Sequence, residues 1–87
     1  MQILPDEMGA MQPIGVECVF GKEGDVQVRR VQINIAWIPV GQGRQWLDDD
    51  GRHVLIMLPN NQVRELILSP DALVWQLKPT ARNRQLL

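Results

Sequence analysis

The chain has 87 residues, 45% hydrophobic and 22% charged, and nine basic against ten acidic side chains leave a formal net charge of −1. That balance excludes a wholly disordered chain and a globally basic nucleic-acid binder, and the length admits one small domain that buries only about 60% of its unfolded-chain surface. With a single cysteine, Cys18, no secretory-type start and no apolar run near the roughly eighteen residues of a membrane helix, the expectation is a soluble, cytoplasmic protein without disulfides.

Residues 1–13 (MQILPDEMGAMQP) hold two prolines, a glycine and no sustained periodicity, which predicts an irregular N-terminal arm. From Ile14 the apolar positions alternate: Ile14, Val16, Cys18 and Phe20 lie on one face, as a half-buried strand requires. Gly21 and Gly24 in the segment GKEGD supply hairpin-loop chemistry, so this strand should pair antiparallel with the next. The stretch from Val26 to Val40, VQVRRVQINIAWIPV, changes phase once. Val26 and Val28 share a face, and after Arg29-Arg30 the same face is carried by Val31, Ile33, Ile35 and Trp37. One long strand with a bulge or a sharp bend at the arginines is predicted.

Pro39 and the segment Gly41-Gln42-Gly43 should end that strand in a flexible loop. Arg44 to Leu47 form a short extended piece, Asp48-Asp49-Asp50-Gly51 a turn, and Arg52 to Leu58 the next strand, the Asp-Gly step being a strong hairpin signal. Pro59-Asn60-Asn61 is a second turn, with Gln62 to Leu68 as its return strand. Ser69-Pro70-Asp71-Ala72 has a cap-and-proline pattern with room for one helical turn. Leu73, Trp75 and Leu77 fall on one face of a last short strand, and residues 78–87 predict a mobile tail. Five to six short strands in a meander resemble an SH3-like small antiparallel barrel, or a strongly bent sheet, over residues 14–77; an OB-type barrel calls for a longer helix. The resemblance is architectural and implies no functional site.

Catalytic chemistry is thinly supplied. His53, Ser69 and Thr80 are the only histidine, serine and threonine, and there is no tyrosine. A nucleophile with its base would have to be assembled from distant positions. Cys18 lies among Val16 and Phe20, where a thiol packs as a small hydrophobe. The run Asp48-Asp49-Asp50-Gly51 lacks the glutamate that a calcium loop places six residues beyond its glycine, where Met57 stands, and zinc ligands are too few. The reading is a non-enzyme that needs neither metal nor cofactor.

Two binding chemistries remain. The run Val54-Leu55-Ile56-Met57-Leu58 is apolar on both faces, so with Val54, Ile56 and Leu58 in a core, Leu55 and Met57 point outward. Ile38 is likewise outside the core phase. These residues and Trp46, with Arg44 and Arg52 at the rim, are the expected contacts of a protein-binding module, either a homodimer or an accessory subunit of a larger assembly. The competing reading is a nucleic-acid-binding barrel with Arg29, Arg30, Arg82 and Arg84 on phosphates and Trp37 as a stacking platform. Interleaved acidic residues weigh against it.

Overall fold

The computed structural model describes residues 10–79, which form eight β-strands and, among the described residues, no helix. In chain order these are β1 (Gln12–Pro13), β2 (Gly15–Phe20), β3 (Val26–Ile33), β4 (Ala36–Pro39), β5 (Gly41–Asp48), β6 (Gly51–Met57), β7 (Val63–Leu68) and β8 (Trp75–Leu77). They pair antiparallel in two sheets, a five-stranded one in the order β1-β8-β7-β6-β5 and a three-stranded one in the order β2-β3-β4.

Two stretches of chain pass from one sheet to the other with a single residue between strands. Ile14 separates β1 from β2 and donates its N–H to the Trp75 carbonyl at 3.0 Å; Val40 separates β4 from β5 and donates to the Arg29 carbonyl at 3.1 Å. The strand count therefore exceeds the expected five to six because long strands change partner partway, and the ladders make two sheets rather than one continuous barrel. The last residues of the predicted N-terminal arm, Gln12 and Pro13, pair with Leu77 and Gln76. Residues 1–9 and 80–87, with Arg82 and Arg84, lie outside the described residues.

The core sits between the sheets. Val26, Val28 and Val31 of β3 meet Val54 and Ile56 of β6, Leu66 of β7, Trp75 of β8 and Leu58 just past β6. The phase slip read from the sequence is a bulge: Glu17 pairs with Arg30 and Cys18 with Val28, leaving Arg29 as the extra residue on β3. Without it Val31 would turn outward; with it Val26, Val28 and Val31 are all at most 4% exposed.

Below the bulge, β3 and β5 run side by side without a backbone ladder, and two glutamines of β5 take its place. Gln45 Oε1 accepts from the Val26 N–H at 3.0 Å and Gln42 Oε1 from the Val28 N–H at 2.6 Å. Both amide nitrogens donate to the Val26 carbonyl, at 2.8 Å from Gln45 and 3.0 Å from Gln42. The Val26 and Val28 N–H groups and the Val26 carbonyl, which β3 turns into this seam, are thereby satisfied by side chains.

Several expectations are corrected. The strand expected from Val26 to Val40 is a hairpin, turning at Asn34-Ile35 with Asn34 at φ +59° and Ile35 90% exposed. Asparagine tolerates that left-handed conformation, and the turn moves Ile35 and Trp37 out of the core face. Gly41-Gln42-Gly43 is no flexible loop but the start of β5, with its own bulge between Gln42 and Gln45. No helical turn forms at Ser69–Ala72: the Ser69 hydroxyl accepts the Asp71 N–H at 3.3 Å, and Leu73 takes φ +57°, which a helix excludes. Leu73 is consequently 78% exposed instead of sharing the buried face of Trp75.

Candidate functional site

Because Val54 and Ile56 point into the core, the alternate residues of β6, His53, Leu55 and Met57, face outward from the five-stranded sheet. Across from His53 stand Trp46 on β5 and Ile67 on β7; Glu65 stands across from Leu55, and Val63 across from Met57. His53 is only 5% exposed, yet both ring nitrogens meet carboxylates, Nδ1 at 2.6 Å from Glu65 and Nε2 at 2.8 Å from Asp48. An imidazole can donate from both nitrogens only as the cation. Burial opposes that charge, but the hydrogen bonds and negative charges of Glu65 and Asp48 outweigh it and raise the His53 pKa above its ordinary value. The same bond to His53, reinforced by the Asp50 N–H, holds the Asp48 carboxyl below the usual carboxylate range. The Lys78 ammonium lies 3.5 Å from the second oxygen of Glu65.

An aromatic layer covers this ion cluster. The Trp46 indole stacks on the His53 ring with centroids 4.9 Å apart and planes 4° from parallel, and the Arg44 guanidinium lies 5.1 Å from the indole centroid. Asp48, Asp50 and His53 bring potential ligand atoms within 4.8 Å of one another. A metal takes a deprotonated imidazole nitrogen, whereas both nitrogens here face carboxylate oxygens, so the arrangement fits an imidazolium. A cleft of about 350 Å³ opens beside the cluster, with Ser69, Lys78 and Asp50 on its walls. To take a proton from Ser69, His53 would first have to give up a carboxylate partner.

Toward the other end of the same face, Leu55 is half-buried while Met57 and Val63 are 45% and 53% exposed. Four of the residues expected at a partner contact, Arg44, Trp46, Leu55 and Met57, thus come together. Two do not. Arg52 lies on the core-side row between Leu47 and Leu68, and its guanidinium donates to the Gly24 carbonyl at 2.9 Å. Ile38 pairs with the fully buried Val31 and so faces the interior side of β4.

The alternative set is also divided. Trp37, 47% exposed, lies on the outer face of the three-stranded sheet, where a Cβ at Gly15 would meet its indole at 3.2 Å. Val16, Glu17 and Arg30 complete a groove of about 400 Å³ there. Arg30 is engaged by Glu17 at 2.6 Å, an ion pair that pulls the Glu17 carboxyl down. The groove therefore offers an indole and an ion-paired arginine rather than the basic stripe that a phosphate backbone requires. Cys18 packs against the core, and burial pushes its thiol pKa up, opposite to a nucleophile's needs.

Sequence reasoning passed over Phe20, Leu47, Leu73 and Val74, which are 53%, 67%, 78% and 44% exposed. For Val74 the available signal was adjacency to Trp75, since two neighbouring apolar residues of an extended segment cannot both face one core; Leu47 shares the core-side row of Arg52 and Leu68, and spacing gave no sign of its exposure. No protein-family model, no curated protein and no solved structure matches this chain.

Proposed function

We propose that this chain is a non-catalytic protein-binding module that self-associates through the outer face of its five-stranded sheet. The observation behind this reading is the joining of Trp46, Leu55, Met57 and Val63 on neighbouring strands, beside an ion cluster whose charges are largely matched internally. A second copy suits the face because Arg44, Trp46 and Asp48 occupy alternate positions of β5. A two-fold axis passing beside Trp46 brings Arg44 of one copy to the acidic turn of the other, and the apolar patch onto itself. With strands about 4.8 Å apart and a rise of about 3.3 Å per residue, the face spans roughly 20 by 20 Å. That is small beside the roughly 800 Å² per partner of specific interfaces, so the dimer should depend on concentration. A reducing, cytoplasmic setting completes the reading, in keeping with the free Cys18.

Light scattering on the eluting protein, from about 10 μM to about 1 mM, tests this, since weak dimers dissociate in the micromolar range. The expected result is a mass that rises from monomer toward dimer, and a Met57→Asp variant that stays monomeric while unfolding normally. A strict monomer across the range, or a Met57→Asp protein that dimerises like the parent, refutes the reading. Met57 is exposed enough that the substitution leaves the core untouched.

A further inference from the structure

A second apolar surface lies at one end of the molecule, where three loops are gathered by specific contacts. The β2–β3 loop is tied to β6 by the bond from Arg52 to the Gly24 carbonyl. The β5–β6 turn closes against the β7–β8 loop at Gly51, whose φ of +129° and lack of a side chain let its backbone press on Leu68 and Pro70; a Cβ there would run into the Leu68 carbonyl. Phe20 enters the first loop, Leu47 stands one residue before the second, and Leu73 and Val74 end the third, all four substantially exposed. The pairing Leu47–Arg52–Leu68–Trp75 places the last two loops on adjoining rows, so these side chains ring one end of the core.

The same loops concentrate negative charge. With Asp48 at the end of β5 they carry Glu23, Asp25, Asp49, Asp50 and Asp71, six of the chain's ten acidic residues, against the ammonium of Lys22 and the Arg52 guanidinium on the Gly24 carbonyl, while the whole chain is nearly neutral. Asp48 is matched by His53, but no hydrogen bond or ion pair among the described residues engages the carboxylates of Glu23, Asp49, Asp50 or Asp71. Clustered carboxylates repel one another and disfavour phosphate-bearing or acidic partners, and a cationic partner relieves that repulsion.

We infer that this loop end docks a protein segment in which apolar side chains are flanked by lysines or arginines. The apolar residues seat among Phe20, Leu47, Leu73 and Val74, and the flanking cations meet Asp49, Asp50 and Asp71. The apolar residues of the loop end are distinct from Leu55, Met57 and Val63 of the outer sheet face, and the two surfaces share only the acidic β5–β6 turn. The inference does not depend on self-association, and the two fail separately.

The test uses the full-length isotope-labelled protein and three synthetic hexapeptides, KKLLKK, its charge-reversed counterpart EELLEE, and KKSSKK, followed by amide chemical shifts. The expected result is saturable binding of KKLLKK with shifts confined to the three loops and the residues flanking them. Raising the salt to about 0.5 M should weaken binding several-fold by screening these exposed charges. A Leu73→Ser, Val74→Ser double variant should lose binding at least tenfold, and Asp49→Asn with Asp71→Asn about threefold to tenfold. All four positions are exposed, so the variants should unfold like the parent. The inference is overturned if no peptide shifts the loops at millimolar concentration, if EELLEE or KKSSKK binds as well as KKLLKK, or if the shifts fall on Leu55, Met57 and Val63 instead.

Discussion

The seam between β3 and β5 makes a quantitative prediction about how the two sheets hold together. Gln45→Leu removes the acceptor for the Val26 N–H, and Gln42→Leu the acceptor for the Val28 N–H, at residues only 2% and 4% exposed. Each single substitution thus strands one buried donor, at a cost of about 1–3 kcal/mol. The Val26 carbonyl behaves differently because it accepts from both glutamines, so either single variant leaves it one partner and only the double variant leaves it none. The double variant should therefore cost about 1–3 kcal/mol more than the sum of the singles, the desolvation cost of one buried acceptor. Denaturant unfolding followed by tryptophan fluorescence measures all four proteins, with sulfate added to keep the double variant folded. For 87 residues the total stability is on the order of 4 to 13 kcal/mol, so the coupling is a large fraction of it. Additivity within about 0.3 kcal/mol would show that the shared carbonyl is not what links the two side chains, and would refute the argument.

Two further outcomes follow from single residues. His53 has a folded-state pKa raised above its ordinary 6.5, so its contribution to stability is complete below pH 6.5 and is lost as the pH rises through the folded value. Asp48 is lowered from 3.8, and its contribution is present above that pH and disappears as the solution is acidified through the folded value. Stability should therefore be greatest between these limits, and His53→Gln should flatten the alkaline decline, as read by urea midpoints between pH 4 and 9; an unchanged decline would contradict the doubly bonded imidazolium. Leu73 holds φ +57°, a conformation that costs a non-glycine residue about 1–2 kcal/mol. Leu73→Gly should consequently raise the unfolding free energy, by up to about 1 kcal/mol after glycine's entropy penalty is counted, and a lowered midpoint would argue against that backbone conformation.

Much of the fold was legible because period-two alternation is a local property. The break at Arg29-Arg30 told of one inserted residue, since nothing else shifts every later side chain to the other face, and the bulge opposite Cys18 is that residue. The doubly apolar run Val54 to Leu58 likewise put Leu55 and Met57 outward. The turn at Asn34-Ile35 was missed because the apolar alternation runs straight through it, with Ile35 in phase with Ile33. Alternation records which residues match, and not whether the chain reverses between them. The expected helical turn failed for a related reason: Ser69-Pro70-Asp71 satisfies its own polar groups as a turn as readily as it starts a helix.

The candidate surfaces were half legible on the same terms. Residues on one strand, such as Leu55 and Met57, could be assigned to a face from spacing alone, while Arg52 and Ile38 could not be placed until their partners Leu68 and Val31 were known. His53, Asp48 and Glu65 come from three strands, and Phe20, Leu47 and Leu73 from the ends of β2 and β5 and the β7–β8 loop, so nothing in their spacing announces that they meet. By itself the sequence determined most of the extended segments, the inward facing of Val26, Val28 and Val31, the outward facing of Leu55 and Met57 and the position of the bulge, because those depend on a side chain's direction relative to its neighbours in the chain. Only the tertiary structure decided that two glutamines replace a missing ladder, that a lone histidine meets a carboxylate at each ring nitrogen, and that the acidic loops share one end, because each depends on which distant group lies within hydrogen-bonding or Coulombic reach.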